Sequence, residues 1–185
     1  MRIVAGAYRG RTLVAPKGHS TRPTSDRARQ SLFNVLEYAS WSRPVAGLRV
    51  LDGFAGSGAL GLEALSRGAI FCLFADRDLA ARTVIAANLA ALGCRERGRL
   101  AGFDMTRLPP RGVEAPFDLV FLDPPYRSGL AEAALVSLED GGWLSPGALA
   151  VVERGAGEEP LVASGYTSLD ERAWGKAHVS FLGFT

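Results

Sequence analysis

From residue 48 onward, short apolar runs alternate with helical stretches, and this alternation narrows the fold more than any other feature of the chain. "LRVLD" (48–52) reads as a strand, followed by a glycine-rich loop and a helical stretch to about Arg67. "AIFCLFAD" (69–76) reads as a buried strand, 78–92 as an alanine-rich helix ended by Gly93, and 98–103 as a weaker strand. "FDLVFLD" (117–123), a helix over 129–139, the Gly141-Gly142 break and "ALAVVE" (148–153) repeat the cycle. Strands separated by helices of roughly ten to fifteen residues must run parallel, with the helices on the sheet faces. Two last strand-like pieces, near 166–171 and 178–184, have only a loop between them and are expected to pair antiparallel at one side. The expected fold class is therefore α/β: a doubly wound, mostly parallel, Rossmann-like sheet with an antiparallel C-terminal strand pair.

The first 46 residues do not follow this rhythm. "RIVAGAYRGRTLVA" (2–15) holds two β-prone runs around Tyr8-Arg9-Gly10 and reads as a hairpin. "PKGHSTRPT" (16–24) reads as a loop, and Thr24 or Ser25 as the cap of a helix over 26–40. Arg43-Pro44 and Gly47 punctuate the junction, so the expected organisation is a hairpin-and-helix extension (1–46) and a main domain (47–185). Charge separates the two. Residues 1–49 carry nine Lys/Arg against Asp26 and Glu37, a balance of +7; the whole chain is +2, so the other 136 residues carry −5. A basic segment joined to a mildly acidic body points to a polyanionic partner met at one end.

Composition, 48% hydrophobic and 22% charged, suits a globular protein. No apolar run reaches the roughly 20 residues of a membrane span, and "MRIVAGAYRG" lacks the layout of a signal peptide. A cytoplasmic protein without a membrane partner is expected. Cys72 and Cys94 then read as reduced thiols. His19 and His178 stand alone, without metal-ligand spacing, so no metal is expected.

The loop after the first strand, "DGFAGSGALG" (52–61), satisfies G-x-G-x-x-G with Gly56, Gly58 and Gly61. Asp76 ends the next strand, twenty positions after Gly56. Glycines let a ligand lie against the backbone and the acid takes ribose hydroxyls, so an adenosine-type cofactor is indicated. A dinucleotide fits poorly, because the Asp52 carboxylate directly before the loop would oppose a pyrophosphate at the helix start. It suits a ligand carrying an amino or sulfonium cation, such as S-adenosylmethionine. Asp104, in "GFDM" after the third strand, adds an acceptor where an adenine amino group could lie. Asp52 could instead be a helix N-terminal carboxylate, and Asp104 a turn residue.

"LDPPY" (122–126) ends the fourth strand. Proline cannot donate to a ladder and excludes helical geometry from the residue before it, so the chain leaves the sheet in a rigid extended shape. Asp123 and Tyr126 are thereby fixed at the carboxyl edge. The exocyclic amine of a nucleobase is a poor nucleophile, its lone pair being delocalised into the ring. Two acceptors, the Asp123 carboxylate and the Pro124 carbonyl, would turn that nitrogen toward tetrahedral geometry. Tyr126 offers a stacking face worth ~1–3 kcal/mol, and Pro125 keeps the turn stiff.

"DPPY" resembles the signature of amino-group methyltransferases acting on nucleic acids. "LDGFAGSGALGLEALSRGA", "RIVAGAYRGRTLVAP" and "RPTSDRARQSLFNVL" resemble one branch, the bacterial 16S rRNA guanine-N2 methyltransferases of the RsmD family. The resemblance runs from residue 2 to about 126; the C-terminal third carries little family signal. It implies a Rossmann-like methyltransferase fold and transfer of a methyl group from S-adenosylmethionine to N2 of a guanine in 16S rRNA, within the small ribosomal subunit or its assembly intermediate. It implies a catalytic segment of Asp123, Pro124, Pro125 and Tyr126. The implied cofactor residues are Asp52, Ala55, Gly56, Ser57, Gly58, Asp76, Arg77, Asp104 and Met105. The implied RNA contacts are Arg2, Arg9, Arg11, Arg22, Thr24 and Arg27. Glutamate is more usual where Asp76 stands, so the reach to the ribose is shorter here. A monomer is expected.

Other readings compete. An adenine-N6 methyltransferase on DNA, or on another RNA, would use "DPPY" equally well, but a chain of 185 residues leaves little room for a sequence-reading domain. A nicotinamide-dependent oxidoreductase would leave "DPPY" unexplained. A silent RNA-binding module would have no use for Asp123 and Tyr126.

Overall fold

The computed structural model describes residues 1–15, 26–126, 128–175 and 177–185. The loop expected over 16–24 and the helix cap at Thr24 or Ser25 lie outside the described residues. Seven strands form one sheet in the order β3-β2-β1-β4-β5-β7-β6. They are β1 (Arg49–Gly53), β2 (Phe71–Ala75), β3 (Gly98–Ala101), β4 (Phe117–Leu122), β5 (Leu144–Gly155), β6 (Tyr166–Trp174) and β7 (Ala177–Phe184). The first five run parallel, and β7 inserts antiparallel between β5 and β6. The helices are α1 (Asp26–Tyr38), α2 (Ala59–Ser66), α3 (Leu79–Leu92) and α4 (Leu130–Asp140). None is long and apolar enough to cross a membrane.

Strict alternation along the central strands sends side chains to two cores. Val50, Phe74, Leu119, Phe121 and Val151 pack with α1, α2 and α3. Leu51, Leu73, Val120, Leu122 and Val152 pack with α4 and Trp143 on the opposite face. Both faces are covered, which is why these strands read as unbroken apolar runs. β5 is longer than the expected 148–153. It pairs at Leu144↔Phe117, shifts register, and resumes at Leu149↔Leu119; Pro146 and Gly147 mark that irregularity rather than a loop.

The N-terminal runs do turn back on each other, but with only one ladder bridge, Arg2↔Thr12. The N–H groups of Ile3, Leu13 and Gly10 donate across it to the carbonyls of Arg11, Met1 and Ile3, and beyond Ile3 the donors turn to α2. The N–H groups of Val4 and Ala5 donate to the Glu63 carboxylate on α2 (2.8 and 3.0 Å), and that of Tyr8 to Ser66 Oγ (2.9 Å). Glu63 and Arg29 of α1 are both fully buried and paired, and Arg67 joins them at 2.9 Å. Arg29 is thus part of the interior, not of a basic surface. Asn88 on α3, 1% exposed, holds Val14 by both its N–H (2.9 Å) and its carbonyl (3.0 Å) and also donates to Ser57 O (3.2 Å).

Candidate active site

β1 is the strand at which the chain changes direction across the sheet, with β2 and β3 to one side and β4 and β5 to the other. The connections leaving the carboxyl ends of β1 and β4 diverge there and leave a crevice between them, the usual ligand position in an open α/β sheet. The register Gly53↔Leu122 puts residues 54–58 beside residues 123–126. The two motifs therefore meet at one edge.

The glycine loop is held by hydrogen bonds along its length. Gly56 (φ 53) and Gly58 (φ 75) are left-handed, and so is Phe54 (φ 58), a conformation that strains a residue with a Cβ. The Gly56 N–H donates to Asp76 Oδ2 (2.8 Å), while Asp76 Oδ1 accepts from the Asp78 N–H (2.9 Å). The shorter acid at 76 thus grips the loop it faces. α2 has no side-chain cap at Gly58; instead Asp52 Oδ2 accepts the Gly61 N–H at 2.9 Å, satisfying an orphan donor of the first turn. A Cβ at Gly61 would stand 2.4 Å from the Phe74 ring and 3.0 Å from that carboxylate, so glycine is required for the approach. Burial pushes the Asp52 carboxyl up to about 7 against the Gly61 hydrogen bond, with Asp76 adding to the rise.

Asp104 is the turn residue the sequence allowed for: its Oδ1 accepts from the N–H and hydroxyl of Thr106 (3.0 and 2.8 Å). Arg77 pairs with its other oxygen at 3.1 Å. The Thr106 hydrogen bonds, with help from Arg77, hold its carboxyl below the usual range. Met105 is buried, its thioether packed under Gly53 as support for the loop. Ala55 donates its N–H to Ala75 O (3.1 Å) and accepts from Gly58 (2.6 Å).

The β4 segment is organised differently. Pro124 is buried, whereas Pro125 and Tyr126 are exposed. Ser128 closes the turn by donating to the Pro125 carbonyl (2.5 Å). Asp123 accepts no hydrogen bond from any described residue. Enclosure lifts its carboxyl to about 8, and the charges of Glu153 and Asp52 add to the rise. Asp52, Asp123 and Glu153 follow Leu51, Leu122 and Val152 on neighbouring strands, so all three point to the same face. Such a set repels itself and is relieved by a cationic ligand. Tyr126 donates its hydroxyl to Glu153 Oε1 at 2.7 Å. Glu153 was not expected from the sequence, and the one available signal was that "ALAVVE" ends in an acid at the same sheet edge.

The basic residues are spread out. Arg2, exposed, pairs with Asp26 at the start of α1 (3.2 Å), and Arg27 is exposed on the same helix. Arg9 and Arg11 lie toward the other end of the molecule: the turn around them packs on Ser66, the last residue of α2, and Arg11 donates to Ala91 O near the end of α3 (2.6 Å). Arg22 and Thr24 lie outside the described residues.

Comparison with known proteins gives consistent matches. The family model described as "Conserved hypothetical protein 95" matches residues 1–183. The ribosomal RNA small subunit methyltransferase D of Escherichia coli (strain K12) is 43% identical over 154 residues, 83% of this chain and 74% of that protein. The protein of the same name from Haemophilus influenzae is 37% identical over 180 residues, 95% of this chain and 89% of that protein. The solved structure of yhhF from Escherichia coli superposes with a TM-score of 0.82 at 36% identity, covering 100% of this chain and 97% of that one.

Proposed function

The chain belongs to the RsmD family of small-subunit ribosomal RNA methyltransferases, and on that premise we propose that it transfers a methyl group from S-adenosylmethionine to the exocyclic N2 of a guanine in 16S rRNA. The observation that carries this reading is Asp123: a carboxylate fixed at the end of β4, given no hydrogen bond by a described residue, beside an exposed tyrosine and one strand from the glycine loop. A group so placed is an acceptor waiting for a donor, and the amine of an extruded base is a donor of two N–H bonds. Asp123 takes one and the Pro124 carbonyl the other, which turns the lone pair out of conjugation. Tyr126 carries the ring on its face, so the guanine must be unpaired or extruded.

The residues fit the cofactor. The left-handed glycines at 56 and 58 would let it approach the backbone, Asp76 keeps lone pairs for ribose hydroxyls beyond its two backbone bonds, and Asp104 would offer an acceptor to the adenine amino group. The raised carboxyls of Asp52 and Asp123 are those that a cation nearby would return to the ionised state. S-adenosylmethionine supplies a methyl group on positively charged sulfur, which departs as a neutral thioether. The chain's own work is orientation and charge: Asp123 and Pro124 hold the nucleophile, Pro125 keeps the turn stiff, and the nitrogen's surplus proton passes to water after the new bond forms. Arg2 and Arg27, exposed at the start of α1, would supply phosphate contacts, with Arg22 and Thr24 assigned to the same role from the sequence; Arg9 and Arg11 would serve only an RNA that wraps the molecule. The protein acts as a monomer on the small subunit or an assembly intermediate, with 1–46 as the RNA-facing extension of a 47–185 catalytic domain.

The test is radiolabelled methyl transfer to unmethylated small ribosomal subunits, followed by digestion to nucleosides. Label in N2-methylguanosine is the expected result. Label in methyladenosine would keep the amine chemistry and overturn the base assignment, and label only on DNA would overturn the RNA reading.

A further inference from the structure

The stacking face has a second attachment, outside the motif that supplies it. Glu153 lies beside Asp123 across the β4–β5 pair, because Leu122 is in register with Val152. Its Oε1 accepts the Tyr126 hydroxyl at 2.7 Å. Two residues on, Gly155 leaves the ring room to lie against bare backbone: a Cβ there would stand 3.1 Å from Tyr126 Cγ and 3.2 Å from its Cβ. That backbone is itself fixed. The Gly155 N–H donates to Glu158 Oε1 (2.9 Å), and Arg154, 4% exposed, donates to the carbonyls of Glu158 and Glu159 (3.2 and 2.5 Å) and to the Glu171 carboxylate (2.6 Å).

Tyr126 is 43% exposed, and an aromatic so open to solvent ordinarily samples several rotamers. Here it is held from one side by the proline turn and from the other by the end of β5. A phenyl ring would stack on a base as well as a phenol does, so stacking alone gives the hydroxyl no purpose. We propose that Glu153 is a positioning residue for methyl transfer: by holding the Tyr126 hydroxyl it sets the ring plane on which the extruded base lies with its amine against Asp123. The inference rests on the methyl-transfer reading above. A reacting group displaced by about 1 Å loses on the order of a hundredfold in rate, so the orientation of the platform matters although Glu153 touches no reacting atom.

The experiment compares the wild type with Tyr126→Phe, Glu153→Ala, Glu153→Gln and the double variant Tyr126→Phe/Glu153→Ala, measuring kcat and KM on unmethylated small subunits and cofactor affinity separately. Tyr126→Phe and Glu153→Ala should each lower kcat by roughly ten- to a hundredfold with cofactor affinity unchanged, which also shows that the fold is intact. Glu153→Gln, which keeps an acceptor for the phenol, should restore most of the rate. The double variant should be no worse than the poorer single one, because both changes remove the same bond. Full activity of Glu153→Ala in an active wild-type background would overturn the proposal alone, as would multiplying effects in the double variant or a Gln variant as poor as Ala. An inactive wild type on every nucleic acid tried would overturn the underlying reading as well.

Discussion

The two loops that form the crevice solve opposite problems. Around the glycine loop that follows β1, the acids at the ends of β1, β2 and β3 are employed: Asp76 holds the N–H groups of Gly56 and Asp78, Asp52 holds Gly61, and Asp104 holds Thr106 and Arg77. After β4, Asp123 has no donor from the described residues, and its carboxyl is lifted to about 8 by enclosure and by Glu153 and Asp52. One loop is finished before any ligand arrives. The other holds a half-buried carboxyl to which no described residue donates, and an acceptor left open in this way is where a substrate amine gains most. On the proposed reading, the difference separates residues that shape a cofactor site from one that meets the reacting atom.

The sharpest way to break this contrast is Asp123→Asn. Transfer should fall by about a hundredfold or more, the loss expected when one preorganised hydrogen-bonding group leaves a reacting centre, while cofactor affinity measured by calorimetry stays nearly unchanged. A comparable loss of affinity would place Asp123 in the cofactor site instead. Asp76→Ala should do the reverse: two charge-assisted bonds, each worth ~1.5–3 kcal/mol, are lost from the loop, weakening cofactor binding by about tenfold or more, with most of the transfer rate recovered at saturating cofactor. If Asp76→Ala leaves affinity intact, the loop is held by its other hydrogen bonds.

The smallest effect concerns stability and pH. The unfolded chain ionises Asp123 near 3.9 but the folded chain only near 8. Below the first value both states carry the proton and the group makes no difference. Between the two, the folded state alone keeps it, so wild-type stability falls as pH rises, and the loss levels off above about 8. Asp123→Asn removes that loss. Its melting temperature should match the wild type near pH 4 and exceed it by a few degrees near pH 8.5. Equal melting temperatures at both pH values would mean that Asp123 is not electrostatically strained in the folded protein.

Much of the sheet and both edge motifs were legible because their signals are local. Runs such as "FDLVFLD" are apolar on both faces, the glycines at 56 and 58 take backbone shapes that other residues resist, and two prolines announce an abrupt exit from β4. What escaped notice depends on partners far apart in the chain. Glu63 reads as one acid on a helix, yet it is buried against Arg29 and accepts from Val4 and Ala5, 59 and 58 positions away. Arg9 and Arg11 are indistinguishable from Arg2 by charge, and only packing on Ser66 and Ala91 sends them to the other end. Glu153 gains its place from the β4–β5 register, which no motif encodes. The extended β5 was hidden because Pro146 and Gly147 resemble loop residues unless the pairing on either side is known.

The anchoring of the N-terminal hairpin also sets an order of events during synthesis. Residues 1–15 are made first, but their partners Glu63, Ser66 and Asn88 come later, the last of them 74 positions after Val14. At elongation rates of roughly 5–20 residues per second the hairpin waits on the order of 4–15 s before its final contact exists. The segment that leaves the ribosome earliest is therefore among the last to settle. Its docking to Ser57 through Asn88 can be completed only after the glycine loop, α2 and most of α3 have been made.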